Sequence, residues 1–328
     1  MRDAHAAFEE AGVRLYAISY DDAEALAAFA RGQNIPFPLL SDVESEVIRR
    51  YGILNDQVDP GDAFLYGIPY PGSYVIDAGG IVVAKFFHDS YKKRDSPELL
   101  LDAARGRVVL SEQAPRAEGG EPDVQITAAM HGGAGSLRQG MRREIVIHFS
   151  LSGGLHLYGE PVPEGMVATS VDVQGPPGLV VESPILPPTH PLRLQSTGID
   201  LAVWSGEFDI RFPVYATGEL ASEVRPLDQD RVTVKVTVRY QACDDQTCLL
   251  PRTERLQLDV PLDVVDVPRL GIHRGHGQRE GSYDATPHML RLLGRKIRRK
   301  PLGMLRFILR SIRLEWAARR RARGSRGA

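Results

Sequence analysis

Cys243 and Cys248 are the only cysteines in this 328-residue sequence. They lie in VRYQACDDQTCLLPRTERLQL (238–258) with four residues between them. The preceding stretch, RVTVKVTVRYQA, alternates cleanly and sets Val232, Val234, Val236 and Val238 on one face of a strand. LLPRTERLQLDV reads as the returning strand, so the pair flanks a tight connection. A Cys-x4-Cys loop that turns can bring two Cβ atoms into disulfide range. Closing so short a loop removes little chain entropy, which favours a labile, exchanging pair over a structural staple. Two other readings stay open. Zinc needs four ligands, and His273 and His276 could supply the missing two, although that spacing lies outside the familiar motifs. Two inert buried thiols are the other. Asp244 and Asp245 oppose a thiolate at this place, whereas Arg239 and Arg252 favour one. Either cysteine could be the attacking thiol.

The elements that must position this pair change character along the chain. The first part alternates helix and strand. VRLYAISY (13–20) is a strand rich in β-formers. A helix capped by Asp21 or Asp22 follows, with Leu26, Phe29 and Ala30 on one face. SDVESEVIRRYG predicts a helix with a capping box, Ser41 and Glu44, ahead of Val43, Val47, Ile48 and Tyr51, and a stop at Gly52. GSYVID and IVVAKFF flank a hairpin turn at Ala78-Gly79-Gly80, and SPELLLDAARG is a helix with Pro97 in its first turn. Residues 112–122 have linker composition. From there to about residue 268, short alternating strands broken by Gly/Pro turns predict a β-sandwich.

Three segments in order, GVRLYAISYDD, IPFPLLSDVESEVIRRYGILN and YGIPYPGSYVIDAGGIVVAKFF, resemble the redoxin family of alkyl hydroperoxide reductases and thiol-specific antioxidants (AhpC/TSA). The resemblance implies an α/β thioredoxin-like domain over residues 1–111. It is incomplete, because the family's first core strand and catalytic cysteine would precede the helix that holds residues 2–11. No cysteine occurs in residues 1–242, so peroxidase chemistry is not expected of this chain. A late start of a longer natural chain, or a redoxin-like domain that has lost its nucleophile, would account for this. Pro71 matches the family's proline before the hairpin strand, which in thioredoxin-like folds is cis and borders the redox site. An ordinary turn proline is the alternative. Arg94 is a weak analogue of the family's catalytic arginine, and a plain surface arginine is the alternative.

YQACDDQTCLLP resembles the cysteine hairpin of the N-terminal periplasmic domain of the transmembrane reductase DsbD, with Tyr240-Gln241 before the first cysteine and Pro251 after the second. GLHLYGEPVPEGMVATSVDV is similar to that family's early strands. The resemblance implies an immunoglobulin-like sandwich over residues 123–268. It also implies thiol–disulfide exchange through Cys243 and Cys248 with a thiol or disulfide protein partner, and no cofactor. Tyr240, Trp204 and Tyr158 become candidate neighbours of the pair, with His156 beside Tyr158. Trp204 would be the aromatic cap, a core tryptophan being the alternative. A passive cysteine pair in a binding module is the competing function.

The net charge of −2 conceals an asymmetry. From Leu290 onward there are 14 Lys and Arg against one acid, Glu315, so this stretch carries +13 and the first 289 residues −15. Within residues 269–328, a connector leads to a helix in which Leu302, Leu305, Leu309, Ile312 and Trp316 form an apolar stripe flanked by Arg306, Arg310 and Arg313. An anionic membrane surface and docking on the acidic body both fit it, and nucleic acid fits less well because no binding motif accompanies it. MRDAHAAFEEAG has no apolar export segment, so a cytoplasmic location is expected as written, and a periplasmic one if the natural chain begins earlier.

Overall fold

The computed structural model describes residues 1–58, 66–88, 93–193, 200–221, 229–244 and 246–264, with the single positions 298, 302 and 309. The expected basic helix, the connector and the two histidines offered to zinc lie outside the described residues, those single positions aside. Two compact units emerge. The first comprises Met1–Ala114 with Ala129–Gly135 and Met141–Ile145; the second takes Pro115–Ala128, Ser136–Gly140 and the chain from Val146.

The first unit runs α1 (His5–Glu10), β1 (Ala17–Ser19), α2 (Ala23–Gln33), β2 (Leu39–Ser41), α3 (Glu46–Arg50), β3 (Gly72–Ile76), β4 (Val82–Phe87), β5 (Arg94–Asp95) and α4 (Pro97–Arg105). Strands β1 and β2 pair in parallel, and β3 and β4 form a separate antiparallel hairpin. Asp22 caps α2 by accepting the amide of Ala25 at 2.7 Å. Of the three residues expected on its buried face, only Leu26 is buried, while Phe29 is exposed. The cap of α3 also differs from expectation. Ser41 belongs to β2, and Asp42 takes the role instead, its two carboxylate oxygens accepting the amides of Glu46 and Ile48. The Ser41 hydroxyl is engaged elsewhere, donating to the carbonyl of Asp21 at 2.7 Å, so the free amides of α3 fall to Asp42. Asp77 closes the β3–β4 turn by accepting the amides of Gly79 and Ile81, and Gly80 supplies the positive φ of 83°.

Helix α4 buries Leu99, Leu100 and Leu101, and ends at Gly106 in the left-handed region. Phe8, Val75, Leu100 and Leu101 form this unit's small core. Side-chain hydrogen bonds add to it, among them that of the Ser45 hydroxyl to the carbonyl of Gly67 at 2.8 Å. Asp102 on α4 lies 2.5 Å from the Nε2 of His131, and the Asp95 carboxylate lies between His88 (2.6 Å) and Arg142 (3.1 Å). Arg94, alongside on β5, is half-buried rather than a free surface residue.

The second unit is built from strands. In order they are β6 (Arg116–Glu121), β7 (Val124–His131), β8 (Met141–Leu151), β9 (His156–Tyr158), β10 (Ser170–Gln174), β11 (Leu179–Val181), β12 (His190–Arg193), β13 (Asp200–Ser205), β14 (Glu207–Ala216), β15 (Arg231–Tyr240), β16 (Ala242–Cys243) and β17 (Arg252–Pro261), with one short helix, α5 (Gly218–Ala221). The far ends of β7 and β8 belong to the first unit. Residues 116–121, which have the composition of a linker, form β6 at the edge of the sheet β11-β14-β8-β7-β6. An edge strand needs only one paired side, so a Gly-Gly stretch with little to pack is tolerated there.

Two further sheets carry the site. In β10-β15-β17, the alternation read from the sequence is realised. Val232, Val234, Val236 and Val238 are all buried, and the first three stand opposite Val260, Leu258 and Leu256. Each such side chain contributes about 1.5–3 kcal/mol by leaving water. The third sheet, β12-β13-β9-β16, receives the chain as it leaves β15.

Candidate redox site

Four residues after β15 ends, the chain must turn sharply, and Asp244 makes the turn. Its Oδ1 accepts the amides of Gln246 (2.8 Å) and Thr247 (2.6 Å), and its own amide donates to the carbonyl of Thr247 at 2.9 Å. Those two amides hold the Asp244 carboxyl below the usual carboxylate range, and His156 adds in the same direction. The turn sets Cys243 opposite Cys248 as an antiparallel bridge, and the two sulfurs are joined in a disulfide. Gln241 anchors the base of the hairpin. Its Nε2 donates to the carbonyl of Leu249 (3.1 Å), and its Oε1 accepts the amide of Val167 (3.0 Å) from the loop after β9.

The two sulfurs have unlike surroundings. Strand β16 pairs with β9 so that Cys243 stands opposite His156 and Ala242 opposite Leu157. Cys243 is fully buried, packed in a cluster with Tyr158, Leu201 and Val203 and bordered by Val162, Met166 and Leu192. Cys248, Leu249 and Leu250 are exposed, Leu250 at 81%. The Tyr158 hydroxyl lies 3.7 Å from the Cys248 sulfur. A disulfide sulfur carries no proton, so the hydroxyl is the donor. Burial pushes the Tyr158 hydroxyl above its ordinary pKa, which keeps it a proton donor through the neutral range. His156 Nε2 lies 3.3 Å from that same hydroxyl, with the two rings edge to face at 5.2 Å.

The structure thus brings Tyr158 and His156 to the disulfide. Trp204 goes elsewhere. On β13, Val203 is opposite Tyr158 and Trp204 opposite Leu157, so Trp204 shares a face with Leu157 and Ala242, away from the cysteines. There it is buried, stacks on Phe208, and donates its indole N–H to the carbonyl of Pro187 at 3.0 Å. Tyr240 continues the buried stripe of β15, and its hydroxyl has no hydrogen-bond partner among the described residues. Burial, with Glu254 and Glu121 nearby, pushes that hydroxyl up to about 12. Pro71 belongs to the first unit, and the cis bond among the described residues is Glu160–Pro161 rather than one at Pro71. The lining residues Val162, Met166 and Leu192 are not singled out by the sequence, because they come from a loop and a strand distant in the chain from the cysteines.

Residues 1–85 match the AhpC/TSA family, and residues 131–260 match the N-terminal part of the thiol:disulfide interchange protein DsbD. The chain joins a redoxin segment to a DsbD-like one. Among curated proteins, the first segment is 35% identical over 82 residues to chloroplastic peroxiredoxin Q of Sedum lineare, covering 25% of this chain and 40% of that protein. It is 36% identical over 81 residues to chloroplastic peroxiredoxin Q of Arabidopsis thaliana, covering 25% and 34%. The chain therefore spans less than half the length of these relatives. Among solved structures, the N-terminal periplasmic domain of ScsB from Proteus mirabilis is 16% identical with a TM-score of 0.32, covering 45% of this chain and 52% of that one. The Neisseria meningitidis DsbD N-terminal domain in the reduced form is 13% identical with a TM-score of 0.25, covering 45% and 85%. The redoxin segment contains no cysteine, so all thiol chemistry of this sequence rests on the DsbD-like segment. Among the described residues, no helix is long and apolar enough to cross a membrane.

Proposed function

We propose that the chain exchanges disulfides with a dithiol protein partner through Cys243 and Cys248, and that Cys248 is the sulfur the partner attacks. The observation that carries this reading is the asymmetry of the pair: Cys248 is exposed, while Cys243 is 0% exposed. An incoming thiolate needs in-line access to one sulfur and forms a mixed disulfide there, with the other sulfur leaving. Exposed Leu249 and Leu250, next to Cys248, offer an apolar strip for the partner's chain. The strands behind the hairpin act as an immunoglobulin-like sandwich that holds it still. The redoxin segment, lacking a thiol in this sequence, serves as a scaffold. An oxidising compartment such as the periplasm suits a disulfide at rest.

The test is thiol trapping across a glutathione redox series on the purified chain, with the Cys243→Ser and Cys248→Ser variants alongside. A reversible two-electron transition is expected in the wild type. Cys243→Ser should accumulate a mixed disulfide at Cys248 with an activated thiol reagent, and Cys248→Ser should form almost none. A pair that never opens, or a Cys248→Ser variant that traps the reagent as well as Cys243→Ser does, refutes the reading.

A further inference from the structure

We infer that His156 is the acid–base residue for the buried sulfur of the pair, giving Cys243 a proton as it leaves and removing it when Cys243 attacks. This rests on the exchange reading above. Cys243 has no exposed surface, and apolar side chains line its cluster. A thiolate released there would be a desolvated anion, which burial strongly disfavours. The leaving sulfur therefore needs a proton donor within the protein. His156 stands directly opposite Cys243 in the β9–β16 register, and directly opposed residues on antiparallel strands share a face and are neighbours. The imidazole is itself buried.

Among the described residues, Tyr158, Asp244 and Ser205 are groups that face His156. Tyr158, on its own strand, lies at 3.3 Å and reaches on to Cys248. Asp244, on the hairpin, interacts with it electrostatically, setting a carboxylate charge near the imidazole. Ser205 is opposite on β13 and contacts His190 at 3.3 Å. The two sulfurs thus have separate proton partners: Tyr158 at exposed Cys248 and His156 at buried Cys243.

The step balances as follows. A thiolate of a dithiol attacks the Cys248 sulfur, forming a new S–S bond as the Cys243–Cys248 bond breaks. The electron pair of the broken bond goes to Cys243, which takes a proton from imidazolium His156 and leaves it neutral. The second thiolate of the dithiol then attacks its own sulfur in the mixed disulfide. Cys248 departs as a thiolate, steadied by the Tyr158 hydroxyl, and the dithiol is oxidised as the pair is reduced. In reverse, neutral His156 takes the proton of Cys243 as it attacks.

The experiment is stopped-flow reduction of the oxidised full chain by dithiothreitol between pH 5.5 and 9, with rates divided by the thiolate fraction of the reagent. The wild-type normalised rate should fall as pH rises through the imidazole titration. His156→Gln should be pH-independent and slower at low pH by about 100-fold, the lower end for general acid catalysis. A second measurement needs no variant: NMR titration of the His156 ring in the oxidised and reduced wild type should give different midpoints. If the wild-type pair opens but His156→Gln keeps the same profile within about twofold, or the two midpoints coincide, the role of His156 is overturned alone. A wild-type pair that dithiothreitol never opens overturns both readings.

Discussion

Two turns in this chain are built alike and end in different chemistry. Asp77 closes the β3–β4 hairpin by accepting the amides of Gly79 and Ile81, and Asp244 closes the cysteine hairpin by accepting those of Gln246 and Thr247. The first carries exposed Ile81, Val82 and Val83 and belongs to a two-stranded sheet. The second is joined through β16 to a four-stranded sheet, whose facing residues bury one sulfur and bring two ionisable side chains to the pair. An aspartate can shape a turn anywhere. A site needs a rigid face beneath the turn, and a two-stranded hairpin is only marginally stable by itself.

The comparison extends to the units. Large apolar side chains of the first unit, including Tyr16, Phe29, Val43 and Tyr51, lie at its surface, whereas the stripes of β15 and β17 are buried almost completely. The residue types are similar; the number of strands available to cover them differs.

The comparison can be broken or sharpened in four ways, taken from the largest expected effect. Cys248→Ser should abolish exchange, whereas substitutions at the Asp77 turn should leave the exchange rate unchanged; thiol trapping reads both. Leu258→Ala empties a fully buried position opposite Val234 and should destabilise the second unit by about 2–5 kcal/mol, while Val83→Ala on the exposed hairpin should stay within about 0.5 kcal/mol in denaturant titration. Gln241→Ala removes both hydrogen bonds at the base of the cysteine hairpin and should cost about 1–3 kcal/mol, with faster alkylation of the reduced pair.

The smallest effect concerns Tyr240. Its folded pKa lies above its unfolded value, so its protonated form favours the fold below pH 10, and that contribution is lost as pH rises through about 12. Tyr240→Phe should leave stability at pH 7 unchanged or slightly higher, since the buried hydroxyl has no partner among the described residues. It should also flatten the decline between pH 10 and 12, read by denaturant midpoints across that range.

Much of this was legible in the residues. The valine alternation predicted β15 and its buried face, because strand periodicity is a property of the backbone. Ala78-Gly79-Gly80 marked the β3–β4 turn, and the two strands flanking Cys-x4-Cys marked the hairpin. The α3 cap was misread, because Ser41 and Asp42 are both good caps and the choice between them depends on where β2 ends. Order along the chain left Trp204 as either the aromatic cap or a core tryptophan, and the β13–β9 register, which turns it to the other face, makes it the core tryptophan. A shift of one residue would have reversed that outcome.

By itself, then, the sequence determined that thiol chemistry has one location, that this location is a turn between two strands, and which face of β15 is buried. These follow from composition, local turn chemistry and a period of two. Only the tertiary structure decided that Cys243 is buried and Cys248 exposed, and that of the candidate neighbours it is Tyr158, with His156, some ninety residues earlier in the chain, and not Trp204 that stands beside them. The reason is physical: burial and strand register arise from contacts between distant segments, and local residue pattern does not encode which strand will lie opposite.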